Sequence, residues 1–156
     1  MYFCRMVKIR NAKETDLKDI ASFQVLMAKE TEDLQLDEKT VYAGVKAVMD
    51  DPSKGRYFVA EANGQAVASL LITYEWSDWR NGNIFWIQSV YVLPEYRKQG
   101  IFRNLYLHVK ALAEASADIA GIRLYMELNN GRARKVYENM GMQNGHYEVF
   151  EWMKNF

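Results

Sequence analysis

A charge excess of either sign is missing from this chain. Lys and Arg total 20, Asp and Glu total 20, and the formal net charge is +0. Broad binding to nucleic acid or to a membrane surface draws on a strong basic excess, so the balance argues against both. Cysteine is almost absent. The single residue, Cys4, excludes an internal disulfide and a cysteine-based zinc site, and it reads as an incidental thiol. No apolar run approaches the length of a membrane-spanning helix. Met1 to Met6 lacks the basic-then-apolar layout of a signal peptide, so the cytoplasm is the expected location. There is no Gly-x-x-x-x-Gly-Lys-Ser/Thr run, which argues against a P-loop nucleotide protein. Internal repeats, low-complexity tracts and linkers are also lacking.

What is present is the composition of an ordinary globular protein, 49% hydrophobic and 26% charged. A chain of 156 residues is most simply one domain, here 1–156, with a substantial core. Val7 to Arg10 reads as a short strand. Thr15 and Asp16 offer an N-cap for a helix carrying Leu17, Ile20, Ala21 and the Leu26/Met27 region at helical spacing. Lys29 to Lys39 is a polar, acidic break. A second helix opens at Thr40, runs through Val41, Val45, Val48 and Met49, and ends at Asp51-Pro52-Ser53-Lys54-Gly55. Tyr57 to Glu61 and Gln65 to Tyr74 read as antiparallel strands joined at Asn63-Gly64. A turn at Asn81-Gly82-Asn83 leads into Ile84 to Leu93, apolar on both faces as in the middle of a sheet. A helix with Leu105, Val109 and Leu112 on one face follows and fades near Ala115. Ile122 to Met126, a helix from Asn130 to Met140 and a last strand, His146 to Met153, complete the chain. The pattern predicts an α+β domain, or three-layer α/β/α, with a mixed, largely antiparallel sheet.

Two motifs carry chemistry. The first is Arg97-Lys98-Gln99-Gly100-Ile101, between the apolar strand and the helix from Phe102 to Ala115. A Gly-containing turn at the start of a helix leaves backbone N–H groups at the positive end of the dipole. Arg97, Lys98 and Arg103 reinforce that field, so the segment reads as an anion cradle suited to a diphosphate. A Gly that simply makes a turn is the plain alternative. The second motif runs from Asn130 to Met142, in the form Asn-x-x-Ala-x-x-x-Tyr-x-x-x-Gly. Ala133 and Tyr137 share a helix face. Asn130 stands at the N-cap and Gly141 at C′. A small residue and a phenol on one face of a short capped helix make a wall for a ligand.

In this order and at this separation the motifs resemble the GNAT superfamily of acyl-CoA N-acyltransferases. Arg97-x-x-Gly100-x-Phe102 is similar to that family's Arg/Gln-x-x-Gly-x-Gly/Ala pyrophosphate loop, departing from it at Phe102. The Asn130–Met142 stretch is similar to the family's cofactor-side helix. Val7-Lys8-Ile9-Arg10 followed by Thr15-Asp16-Leu17 looks like its first strand and helix cap, so the resemblance spans essentially the whole chain. It implies acetyl-CoA as cosubstrate, two splayed parallel strands (Ile84–Leu93 and Ile122–Met126), and pantetheine amides bonded by backbone groups of Val90, Tyr91 and Val92. Cofactor contacts from Arg97, Lys98, Gln99, Gly100, Ile101, Phe102, Arg103, Asn130, Ala133 and Tyr137 follow from the same resemblance. It also places Glu30, Glu32 and Asp33 at the acceptor entrance, where they suit an ammonium group, although an exposed acidic turn explains them more simply, and it leaves a homodimer open.

Amide formation from a thioester needs a neutral amine, a stabilised oxyanion and a proton for the departing thiolate. Tyr137 is the candidate acid: a phenol of pKa about 10 can protonate a thiolate whose conjugate acid lies near 8.5. Glu75 is the first choice of base. Glu127, Asn129, Glu151 and His146 are alternatives, as is a water relayed by groups such as Gln88 and Ser89. Tyr74-Glu75-Trp76-Ser77-Asp78-Trp79-Arg80 sets Tyr74, Trp76 and Trp79 beside acids, suiting a cationic amine; a hairpin tip with aromatics packed on the sheet explains it equally. His108 reads as a packing or surface residue, with no metal-ligand spacing around it. Arg132, Arg134 and Lys135 suit a 3′-phosphate or a solvated face. The sequence thus points to an N-acetyltransferase acting on a small-molecule or peptide amine by direct attack. Another acyl-CoA as donor, or a non-catalytic CoA sensor, is the alternative.

Overall fold

A computed structural model describes residues 6–145 and 147–154; Cys4 and His146 lie outside them. The described residues group into two compact units, one ending at Tyr125 and one beginning at Met126. The first holds a five-stranded sheet in the order β1-β2-β3-β4-β5. Its strands are β1 (Lys8–Asn11), β2 (Arg56–Ala62), β3 (Gln65–Ser77), β4 (Gly82–Val92) and β5 (Ile119–Arg123). All neighbours pair antiparallel except β4 and β5, which are parallel.

Helices cover both faces of this sheet. On one, α1 (Leu17–Glu32) and α2 (Glu38–Asp50) bury Leu17, Ile20, Phe23 and Val45 against Tyr57, Val59, Leu71 and Tyr91. On the other lies α3 (Ile101–Ala115), whose His108 meets Phe58 edge to face with ring centroids 5.1 Å apart. His108 is therefore a packing histidine. The three layers expected from the pattern are these.

Local chemistry sets the boundaries. Asp16 closes the turn before α1 by accepting from the Lys13 N–H at 2.7 Å. The second helix begins before Thr40, because Asp37 caps it by accepting from the Thr40 N–H at 2.8 Å. β3 runs on to Ser77, through much of the aromatic segment expected as a loop, because Tyr74, Glu75 and Trp76 pair with Phe85, Ile84 and Asn83. The fifth strand stands three residues earlier than the expected Ile122–Met126, because its pairing to β4 runs from Asn83↔Ile119 to Trp86↔Arg123.

The second unit contains α4 (Gly131–Asn139). Asn130 Oδ1 accepts from the Ala133 N–H at 3.0 Å. Gly141 has φ of 85°, and the Met142 N–H reaches back to the Tyr137 carbonyl at 3.1 Å. Both expected caps are in place. The expected last strand is not: Tyr147 to Lys154 carries no strand structure. Tyr147, Phe150 and Trp152 are 75%, 91% and 86% exposed, so strand-forming side chains stand here in a segment without strand structure.

Candidate functional site

The cradle sits where β4 hands the chain to α3. A single 3-10 turn, Pro94–Tyr96, is followed by Lys98 at φ 60° and Gly100 at φ 74°. Two left-handed residues so close together reverse the chain tightly, and glycine takes that conformation without strain. A Cβ on Gly100 would meet nothing within 4 Å, so open space lies above it. The Asn104 N–H bonds the Gly100 carbonyl at 3.0 Å. That bond opens the intrahelical ladder, so the first turn of α3 carries the positive end of its dipole. Ile101 is buried and Phe102 half-buried, while Lys98 and Arg103 are exposed.

Arg97 is held from three sides. Its Nε donates to the Val92 carbonyl at 2.9 Å and its Nη2 to Glu30 Oε2 at 2.7 Å. Its guanidinium carbon lies 5.3 Å from the centre of the Tyr91 ring, and the Tyr91 hydroxyl donates to Glu30 Oε1 at 2.9 Å. Glu30 was expected to draw in an acceptor ammonium. Both its oxygens are instead engaged, and the Arg97 guanidinium beside it holds its carboxyl below the ordinary value.

Next to the cradle the sheet opens. β4 and β5 pair only as far as Trp86↔Arg123, yet β4 continues to Val92. Beyond the fork, one edge of Ile87–Val92 has no ladder partner among the described residues. The same stretch is bulged against β3: Gln88 faces Leu71 and Tyr91 faces Ser69, leaving Ser89 and Val90 opposite a single residue. Ser89 takes up the irregularity with φ of 52°. A bulge frees backbone groups from the ladder and re-aims them.

Alternation along β3 separates residues expected together. Successive side chains point to opposite faces, so Glu75 lies on the α1/α2 side, while Tyr74 and Trp76 lie on the other. The Tyr74 ring is 5.9 Å from that of Phe85. Trp76 and Trp79 are 60% and 86% exposed. One aromatic, acidic pocket is therefore not assembled from Tyr74, Glu75, Trp76 and Trp79.

Glu75 is not a free carboxylate either. Oε2 accepts from the Trp86 indole N–H at 2.7 Å and Oε1 from Arg123 Nη1. Sequence reasoning missed Arg123 and Trp86, although Arg123 is the one charged residue in the apolar stretch Ile122–Met126. Beside them the Gln88 amide donates to Thr73 Oγ1.

Asn130, Ala133 and Tyr137 belong to the second unit. Ala133 and Tyr137 are half-buried on one face of α4, and burial pushes the Tyr137 phenol above its ordinary value. Glu127 accepts from the Asn129 N–H at 3.0 Å and from its side-chain amide at 3.1 Å, a local turn rather than a poised base. Glu151 is exposed. A separate groove of about 560 Å³, lined by Leu17, Met49 and Tyr57 among others, includes no cradle or fork residue.

Known proteins share this fold. The model of the acetyltransferase (GNAT) family matches residues 16–142. A possible acetyltransferase from Clostridium difficile is 43% identical, superposes with a TM-score of 0.90, and is matched over 97% of this chain and 99% of its own. A predicted acetyltransferase from Clostridium acetobutylicum, solved with acetyl-CoA, is 22% identical with a TM-score of 0.72, over 97% and 96% of the two chains. The thialysine N-epsilon-acetyltransferase of Bos taurus is 27% identical over 158 residues, covering 88% of this chain and 84% of its own. A fork beside a helix-start cradle, inside a match from Asp16 to Met142, establishes that the chain belongs to the GNAT family of acetyltransferases.

Proposed function

We propose that this protein moves the acetyl group of acetyl-CoA to a primary amine by direct attack in a ternary complex. We propose too that residues 1–156 act as one N-acetyltransferase domain; the family match crosses the boundary between the two units. The carrying observation is the edge of β4 from Ile87 to Val92, without a ladder partner among the described residues, which leads from the fork at Trp86↔Arg123 to the cradle at Gly100. That edge offers a ladder of backbone donors and acceptors to an extended chain bearing amides. The open space over Gly100 and the first N–H groups of α3 fit a diphosphate at the end of such a chain.

When bound, acetyl-CoA supplies the activated thioester. Val90 to Val92 hold the arm through their backbone, and an N–H released by the bulge points to the thioester oxygen. Arg97, Lys98, Gln99, Gly100, Ile101, Phe102 and Arg103 line the diphosphate end. Asn130 caps α4 at Ala133, and Tyr137 of that helix is the acid for the leaving thiolate. The raised phenol stays protonated at neutral pH, and it loses its proton only as pH climbs through that raised value. Attack of the neutral amine would form the C–N bond, collapse of the oxyanion would break the C–S bond, Tyr137 would protonate the thiolate, and the amine's proton would leave through water and restore the phenol. Gln88 and Thr73 supply polar groups for that water. Glu75 is held by Arg123 and Trp86. The same reading puts the enzyme in the cytoplasm, acting on a small-molecule or peptide amine.

The test is acetyl-CoA-dependent thiol release across a panel of amines, with wild type beside Tyr137→Phe. The turnover number should fall about a hundredfold in the variant, the scale of lost acid catalysis. An unchanged turnover number removes Tyr137 from the acid role. Coenzyme A binding without release from any amine would select the sensor reading.

A further inference from the structure

The alternation that parts Glu75 from Tyr74 gathers a second set of side chains on one face. Thr73 and Glu75 from β3, Trp86 and Gln88 from β4, and Arg123 from β5 lie side by side there, as their register requires. Tyr57, Val59, Leu71 and Tyr91 of the same face are covered by α1 and α2. Past Leu71 the side chains of Thr73, Glu75, Trp86, Gln88 and Arg123 are all partly exposed, while Ile84, the register partner of Glu75, is buried. Arg123 stands at the last paired position before β4 and β5 part.

We propose that Arg123 is the receptor for a carboxylate on the acceptor. The amine acetylated by this enzyme would then belong to an amino acid, and not to a polyamine or an amino sugar. This rests on the transferase reading above. The guanidinium is anchored through one nitrogen only: Nη1 donates to Glu75, whose other oxygen is fixed by the Trp86 indole. No other described residue is bonded to its remaining donors, and the side chain is 34% exposed. A planar fork held at one corner presents two parallel N–H groups, the geometry that carboxylates accept.

The charges on this face point the same way. Two carboxylates here already have a cation, Glu75 through Arg123 and Glu30 through Arg97. Neither is left uncompensated for a polycation, whereas a carboxylate meets a half-engaged guanidinium. The Trp86 and Tyr125 rings, 6.0 Å apart, flank the position with apolar surface for a methylene chain. Glu75 becomes a positioning residue that fixes the rotamer of Arg123.

Matched pairs of acceptors differing only by a carboxylate provide the test: lysine against cadaverine, and ornithine against putrescine. Wild type should favour the amino acid of each pair in kcat/KM by about tenfold or more, the scale of a charge-assisted bidentate contact. Arg123→Gln should raise KM for the amino acids by about that factor, with kcat and both diamines within twofold. Arg123→Lys should recover part of the loss. Glu75→Gln should raise KM for the amino acids alone and leave the pH profile of kcat unchanged, which a lost base would not do. Equal use of both members, preference for the diamine, or an equal loss on both in Arg123→Gln overturns the proposal.

Calorimetric titration of lysine and of cadaverine into the coenzyme A-saturated protein separates this failure from that of the transferase reading. Lysine binding that depends on Arg123, without thiol release from any amine, sustains the carboxylate receptor and removes the transferase. Absence of such binding removes the receptor, whatever the turnover.

Discussion

Two arginine–carboxylate pairs stand on this sheet and differ chiefly in depth. Arg10 of β1 grips Asp16 with two nitrogens, at 2.7 and 3.0 Å, and also bonds Glu61. Its side chain is 13% exposed and that of Asp16 is 6%. Arg123 holds Glu75 through one nitrogen, with exposures of 34% and 40%. The first pair is closed upon itself and ties β1 to the start of α1. The second leaves donors facing solvent at the mouth of the fork. The same two functional groups thus make a staple where water is excluded and a receptor where it is not, because burial decides how costly an unpaired charge is.

Breaking the staple should produce the largest stability loss. Arg10→Met leaves the Asp16 carboxylate buried without its cation, a change that costs about 3–5 kcal/mol. Urea unfolding measures it, and Arg10→Met with Asp16→Leu should recover most of the loss. Acid separates the contribution further. Burial alone would push the Asp16 carboxyl up, but Arg10 and the Lys13 N–H hold it below its ordinary value. A lowered folded value gives stability that is complete above the unfolded value and lost as pH falls through the folded one. Wild type should therefore lose stability below about pH 4, and the double variant should lose less of it.

Alkali probes the covered half of the same face. Tyr57 is 6% exposed beneath α1 and α2, and burial pushes its phenol up to about 12. A raised folded value means that stability is intact below the unfolded value near 10 and declines as pH rises toward the folded one. The full loss is about 3 kcal/mol, two pKa units at 1.36 kcal/mol each. Unfolding free energies from pH 9 to 11.5 should fall less steeply in Tyr57→Phe than in wild type. Equal slopes would mean that this half of the face is more hydrated than its packing implies.

Depth also explains how much could be read from the sequence. Periodicity found α1, α2, β2 and α3 because each buries a continuous apolar stripe, and the caps at Asp16, Asn130 and Gly141 were legible because they are local chemistry. The cradle was legible for the same reason: Arg97, Gly100 and the start of α3 are neighbours in sequence. The far ends were not. β3 was expected to end at Tyr74 but runs to Ser77, since Glu75 and Trp76 are held by cross-strand partners and not by their own pattern. Tyr147 to Met153 has strand composition without strand structure, since a strand is a property of two segments. Glu75 was legible as a carboxylate but not as the partner of Arg123, because 48 residues separate them and only the register through Trp86 joins them.

The smallest effect expected is on the open pair, and its smallness matters. Exposed ion pairs contribute about 0–1 kcal/mol, so Arg123→Gln should leave the unfolding free energy within about 0.5 kcal/mol of wild type. Urea unfolding of Arg123→Gln beside Arg10→Met measures both pairs on one scale. If Arg123→Gln instead costs as much as Arg10→Met, the fork is a second staple, and any change in acceptor use would follow from a disturbed sheet. If the cost is negligible, Arg123 is free of a structural burden, and a KM effect confined to carboxylate-bearing acceptors can be assigned to contact with the ligand. The contrast between the two pairs then becomes quantitative: several kcal/mol of folding and no effect on acceptor choice from one arginine, and the reverse from the other.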